Sequence, residues 1–251
     1  MTAREEKLNV GIIGFGRFGP VLARLLSPGH NILAYDIEDI TAAAESAGVR
    51  VVPLEKVVQV DTLFLAVPIR RFKEAVAQLV PLVQPGTTVI DVCSVKVYPA
   101  TVMKEHFSPE ITTIATHPLF GPDSSQHGFA GLPMVMHPVS PKTGTFDRWT
   151  AYFKEQGINV LDMAPKEHDK LAALSQGVTH FVGRALQEFG IAPTPIDTEG
   201  FRDLQLVVEQ TCHDSPELFQ DLERFNPYTT DMIKKLVKSV NTVQKNITRS
   251  N

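Results

Sequence analysis

Asn9-Val-Gly-Ile-Ile13, running straight into Gly14-Phe15-Gly16-Arg17-Phe18-Gly19, decides the fold of this chain. The apolar run reads as a strand, and Val21, Leu22, Leu25 and Leu26 beyond the glycines recur at helical spacing. Each glycine between such a strand and helix has a reason. Gly14 permits the tight turn, Gly16 lets backbone approach a pyrophosphate, and Gly19 allows close helix–strand contact, while the helix N-terminus offers free N–H groups to the anion. The spacing alone is weak; the strand–turn–helix setting makes it strong. Asp36 ends the second strand, 22 residues beyond Gly14, where a carboxylate hydrogen-bonds an adenosine ribose and repels a 2′-phosphate. The dinucleotide implied is NAD in preference to NADP, although Arg17 inside the loop can meet a phosphate.

Outward from that loop, short apolar runs alternate with helical patterns: Asn31 to Asp36, Val49 to Val52, Thr62 to Val67 and Thr88 to Val92 read as further strands. Thr112 to Thr116, Pro133 to His137 and Asn159 to Met163 extend the series. Consecutive apolar positions suit strands covered on both faces, so the fold class is α/β, a Rossmann-type doubly wound, mostly parallel sheet. After Pro165 the pattern turns helical, with Glu167 to Phe189, Glu199 to Cys212, Pro216 to Phe225 and Thr230 to Val243 as helices and residues 244–251 as a fraying tail. The expected division is a dinucleotide-binding domain over 1–165 and a smaller all-helical substrate and dimerisation domain over 166–251. A helical unit of 86 residues has limited core of its own, which favours pairing with the sheet domain or with a second copy.

The 251 residues are 43% hydrophobic and 21% charged, which rules out a disordered or disulfide-scaffold chain. A net charge of -4 leaves no basic surplus for a phosphate backbone, so nucleic acid is not an expected partner. Cys93 and Cys212 lie far apart with no Cys/His cluster, which implies reduced thiols and no metal. The polar start, residues 1–7, and the lack of an apolar run near the roughly 18 residues of a membrane helix argue against a membrane and make the cytoplasm the expected address.

Ligands of such sheets sit outside the carboxyl ends of the strands. Two segments there carry chemistry. Asp91-Val92-Cys93-Ser94-Val95-Lys96 ends the fifth strand, and Thr116-His117-Pro118 ends the sixth. His117 is presented at the sheet rim, where an imidazole can shift a proton near neutral pH. Ser94 either hydrogen-bonds that imidazole or caps the helix that follows. In the helical half, His168, Ala172, Gln176 and His180 recur every four residues and share a face, either lining a cavity or forming a solvated stripe.

Together the Gly14–Gly19 loop, the Asp-Val-x-Ser-Val-Lys run 91–96, Thr-His-Pro-Leu-Phe-Gly-Pro 116–122 and Glu-His-Asp-x-x-Ala-x-x-Ser-Gln 167–176 with His180 resemble the prephenate/arogenate dehydrogenases of tyrosine biosynthesis. The likeness covers nearly the whole chain. It is closest to the plant-type arogenate dehydrogenases, echoed in Thr194-Pro-Ile-Asp-Thr198-x-Gly200 and Val207-x-Glu209-x-Thr211-x-x-Asp214-Ser215. The resemblance implies NAD-dependent oxidative decarboxylation of a cyclohexadienol by a homodimer. It makes His117 the catalytic histidine and Ser94 the serine that orients it, and puts Gln176, His180 and Thr198 in the substrate pocket. Asp214 corresponds to the residue favouring arogenate over prephenate, since a carboxylate attracts the ammonium of the one and repels the keto-acid tail of the other; the alternative is a cap for the helix at Pro216. Glu199 departs from the lysine of plant relatives, and Tyr35-Asp36-Ile37-Glu38 replaces their NADP-favouring loop. The cation for the ring carboxylate is left open among Arg202, Lys166 and a partner subunit's side chain.

Two other readings compete. A hydroxyacid or imine reductase shares the nucleotide domain followed by helices and relies on a lysine such as Lys170. A dinucleotide-sensing module binds NAD without reducing it.

Overall fold

A computed structural model describes residues 8–141 and 144–248, so the polar start and the last three residues of the expected tail lie outside the described chain. Contacts divide the chain into two compact units, Met1–Pro165 and Lys166–Asn251.

The first unit is built on one eight-stranded sheet of β1 (Leu8–Ile13), β2 (His30–Tyr35), β3 (Arg50–Val51), β4 (Thr62–Leu65), β5 (Thr88–Asp91), β6 (Thr112–Pro118), β7 (Pro133–Pro138) and β8 (Asn159–Asp162). The order is β3-β2-β1-β4-β5-β6-β7-β8. Every pairing is parallel except β6 with β7, whose register sets His117 opposite Val135. The order reverses between β1 and β4, so the loop after β1 opens at the switch point where such sheets bind ligands. All four residues of β4 and of β5 are buried, as strands covered on both faces must be. One cluster joins alternate strand residues Ile12, Phe64, Ile90 and Ile114 to Leu22 of helix α1 (Gly19–Leu26) and to Trp149 and Phe153 of a later helix, Gly144–Glu155.

Three expectations needed correction. The third strand keeps only two paired residues, Arg50 and Val51. The sixth runs past Thr116 through His117 to Pro118, because β7 returns alongside it as an antiparallel partner. The tail is no fraying end up to Thr248: the last helix spans Thr229–Thr248.

The second unit contains, in order, Pro165–Ala172, a π-helical turn over Ala173–Gly177, Val178–Phe189, Glu199–Cys212, Pro216–Phe225 and Thr229–Thr248. With Thr41–Ser46, Leu54–Val57, Phe72–Leu79, Val97–His106 and Gly144–Glu155 of the first unit as α2 to α6, these helices are α7 to α11, the π turn lying between α7 and α8.

Candidate functional site

Gly14 has φ +89°, and a Cβ there would stand 2.6 Å from the Ala66 carbonyl, so only glycine fits the turn. A Cβ on Gly16 would meet nothing within 4 Å, which leaves its backbone facing open space. Gly19 is required for a different reason from the one expected: its Cβ would strike the ring of Phe15, within the loop itself, at 2.8 Å. α1 begins after Phe18 with no side chain capping it; Gly19 N donates to the Gly16 carbonyl at 3.0 Å and Pro20 has no N–H, which leaves the N–H of Val21 in that first turn to face an anion. Asp36 does more than end β2. One carboxylate oxygen accepts from Phe15 N at 2.6 Å and the other from Glu38 N at 3.1 Å, which fastens the glycine loop to the strand that carries the carboxylate. An open glycine, an uncapped helix N-terminus and a carboxylate at the end of β2 fit a dinucleotide's pyrophosphate and ribose.

His117 lies near the end of β6 and Ser94 follows the end of the neighbouring β5, whose Asp91 pairs with Ala115. Ser94 does not cap the next helix: α5 starts at Val97 behind Lys96, with no side-chain cap. His117 is not on an open rim. It is 3% exposed. The loop beyond it is tied to the nucleotide loop. Arg24 of α1 donates to the Ser125 carbonyl at 2.6 Å and hydroxyl at 2.8 Å, Arg17 lies 3.7 Å from Asp123, and the rings of Phe18 and Phe120 are 6.3 Å apart. Arg17, expected to meet a phosphate, is thus partly engaged by an acid.

The sequence reading gave Asp91 and Lys96 no role. Lys96, 1% exposed, donates to the fully buried Asp91 carboxylate and to the Thr116 carbonyl, while the Thr116 hydroxyl donates to the Asp91 carbonyl at 2.6 Å. Burial pushes the Asp91 carboxyl above its ordinary range, with the Lys96 ammonium opposing it. The pair locks the ends of β5 and β6 together directly before His117. Its signal was in the sequence, an Asp and a Lys bracketing a loop, but nothing there said that both are buried.

In the second unit the row 168–172–176–180 is no solvated stripe. His168 is buried with its Nδ1 2.8 Å from Asp169, and Ala172, Gln176 and His180 are half-buried. On an ideal α-helix a four-residue spacing drifts about 40° per step. The π turn at Ala173–Gly177 rotates less per residue and offsets that drift, so the row stays aligned. Gln176 Oε1, His180 Nδ1 and Arg184 Nε are buried atoms without hydrogen-bond partners. Burial is the main cause that holds the His180 imidazole below its ordinary pKa, with Asp214 raising it and Arg184 lowering it. Asp214 does not cap α10, because Ser215 does, its hydroxyl accepting from Leu218 N at 3.2 Å.

Thr198 is not brought to this group. It is exposed and caps α9, accepting from Phe201 N at 3.3 Å, whereas Asp214 follows the other end of that 14-residue helix. Such a helix is about 21 Å long. The suggested cations are exposed too: Lys166 is open, and Arg202 donates to the Asp197 carbonyl at 2.8 Å. Lys170, the residue of the reductase reading, is exposed with its ammonium 5.7 Å from the Tyr228 ring centroid. Among the described residues no group of His, Cys, Asp and Glu could hold a metal ion.

Residues 22–161 match the family model described as "Prephenate dehydrogenase, nucleotide-binding domain", which begins just past the glycine loop. Residues 185–251 match another, "TYRAAT1-like, C-terminal domain". The chain is 31% identical over 254 residues to arogenate dehydrogenase 2, chloroplastic, of Arabidopsis thaliana, covering 97% of this chain and 71% of that protein. It is 30% identical to arogenate dehydrogenase 1, chloroplastic, of the same plant, covering 92% of this chain but 38% of the longer relative. Its fold is similar to a crystal structure of prephenate dehydrogenase from A. aeolicus in complex with hydroxyphenyl propionate and NAD+, with TM-score 0.79, 22% identity, and 99% and 93% of the two chains covered.

Proposed function

Since the chain belongs to the prephenate dehydrogenase family, we propose that it catalyses the NAD-dependent oxidative decarboxylation of arogenate to tyrosine. The observation that carries this reading is the alignment of nearly the whole chain with an arogenate dehydrogenase. Asp214 supports the choice of substrate, since it is half-buried and its neighbour Ser215 does the capping. In this reading Gly14, Gly16 and Gly19 shape the pyrophosphate turn, Arg17 lies beside it, and Asp36 takes the ribose while holding the loop through Phe15 N. Asp36 disfavours the 2′-phosphate of NADP.

When bound, NAD supplies the acceptor for the hydride of the hydroxyl-bearing ring carbon. His117 takes the proton of that hydroxyl and returns it to the product phenol, and Ser94 orients the imidazole. The C–C bond to the ring carboxylate breaks, carbon dioxide leaves, and the electron pair completes the aromatic ring. The burial of His117 keeps water from the reacting atoms. Lys96 and Asp91 hold the strand end in place. Gln176, His180 and Asp214 serve the substrate's tail.

NADH formation followed at 340 nm, with arogenate and prephenate in parallel and NAD then NADP, tests this. Turnover of arogenate with NAD is expected; turnover of prephenate alone would make the chain a prephenate dehydrogenase, and none with either would leave a nucleotide binder.

The reading extends to assembly and place. Among the described residues no helix is long and apolar enough to cross a membrane. Val237, Val240, Val243 and Ile247 of α11 are exposed apolar residues at helical spacing, which supports a homodimer through the helical half. Cys93 and Cys212 are both reduced thiols, which supports a reducing compartment such as the cytoplasm. Nucleic acid has no part in the reading.

A further inference from the structure

Arg184 lies one helical turn past His180 on α8 and belongs to none of the motifs that point to the family. Its Nη2 donates to the backbone carbonyl of Asp214, and its guanidinium stands 5.6 Å from the Phe219 ring centroid. Its Nε is buried with no partner. Among the described residues no carboxylate lies within 4.0 Å of it, although one lies within that distance of each of Lys96, His137 and His168. A partly buried guanidinium without an anion is costly, and its unpartnered Nε together with the remaining Nη protons suits a carboxylate held by two parallel hydrogen bonds. Gly183 makes the position possible. A Cβ there would fall 2.1 Å from Thr211 Oγ1 and 3.2 Å from the Val207 carbonyl, so α8 and α9 approach closely at that residue and bring Arg184 to the turn that carries Asp214.

Arg184 and Asp214 act with opposite sign on the same imidazole, that of His180. Two opposite charges around one neutral hydrogen-bonding group match the two charges of an α-amino acid, an ammonium and a carboxylate on one carbon. We propose that Arg184 and Asp214 form a zwitterion site in which Arg184 takes the α-carboxylate, and Asp214 the α-ammonium, of the substrate's amino-acid tail. The inference rests on the arogenate reading and deepens it. It assigns Arg184 to the tail and not to the ring carboxylate, because the ammonium that Asp214 attracts shares a carbon with the α-carboxylate. It also divides selection in two: Arg184 binds the tail of amino acid and keto acid alike, and Asp214 separates them.

Calorimetric binding to the full chain with NAD, using three ligands of one ring and different tails, tests the assignment. The ligands are L-tyrosine, tyramine, which has only the ammonium, and 3-(4-hydroxyphenyl)propanoate, which has only the carboxylate. Arg184→Gln is expected to weaken tyrosine and the propanoate by about tenfold or more and leave tyramine within about twofold, with Arg184→Lys intermediate. Asp214→Asn is expected to weaken tyrosine and tyramine and spare the propanoate. In turnover, Arg184→Gln should raise KM for arogenate and prephenate alike with little change in kcat. Equal weakening of all three ligands by Arg184→Gln, unchanged tyrosine affinity, or a wild-type chain that binds none of them would overturn the proposal. A wild-type chain that shows the binding pattern but forms no NADH from arogenate would overturn the reaction instead, leaving the zwitterion site standing.

Discussion

His117 and Asp36 each do two things, and their substitutions separate those tasks. His117→Asn removes the proton acceptor while filling nearly the same volume, so turnover should fall by about a hundredfold to ten-thousandfold with NAD affinity intact. Steady-state rates beside an NAD titration check this, and unchanged turnover would move the chemistry to another group. Asp36→Ala removes the ribose acceptor and also the acceptor of Phe15 N. It is therefore expected to weaken NAD and NADP together, not to exchange one for the other; a clean switch to NADP would show that the loop holds its shape unaided. The residues that carry chemistry were legible because they stand in contiguous motifs whose strand–turn–helix setting fixes their position. Arg184 and the Asp91–Lys96 pair were not legible, because their significance lies in what is buried beside them: a helix-borne arginine and a loop lysine read as surface charges until the packing is known.

Among the elements, α7, α10 and α11 are joined by buried polar contacts. Asn226 donates to the Asp169 carbonyl at 2.8 Å, and Thr229 donates to the Asn226 carbonyl at 2.9 Å and to that of Glu223. Glu223 beside them has both carboxylate oxygens buried without partners, and burial pushes it up to about 7. Between its ordinary value and that one the folded chain keeps a proton that the unfolded chain releases, so stability falls as pH rises through this window. Glu223→Gln should therefore stabilise the protein by about 1–2 kcal/mol at pH 8, discounted for partial exposure, and change little at pH 4. Thermal unfolding at the two pH values measures it, and an equal shift at both would point to packing instead. The strands were legible to within a few residues from their apolar runs, but the antiparallel direction of β7 was not, because strand direction leaves hydrophobic patterning unchanged. Nor was the π turn, which has no compositional signature and shows only in its hydrogen bonds.

For the whole molecule, the boundary near Pro165 was legible as the change from short apolar runs to long helical periods. The end of α11 was not, since residues 244–248 are polar enough to pass for a tail yet continue a helix whose apolar residues reach Ile247. That exposed stripe makes light scattering informative: a mass near twice 27.7 kDa is expected, lowered toward one chain by Val240→Glu with Val243→Glu, and a monomeric wild type would refute the dimer. The ends of the sheet favour the same mode of assembly. The outermost strands are β3, two residues long, and β8, four residues long. Such short edges offer another chain little unpaired backbone, a guard against the edge-to-edge pairing by which sheets grow into fibrils.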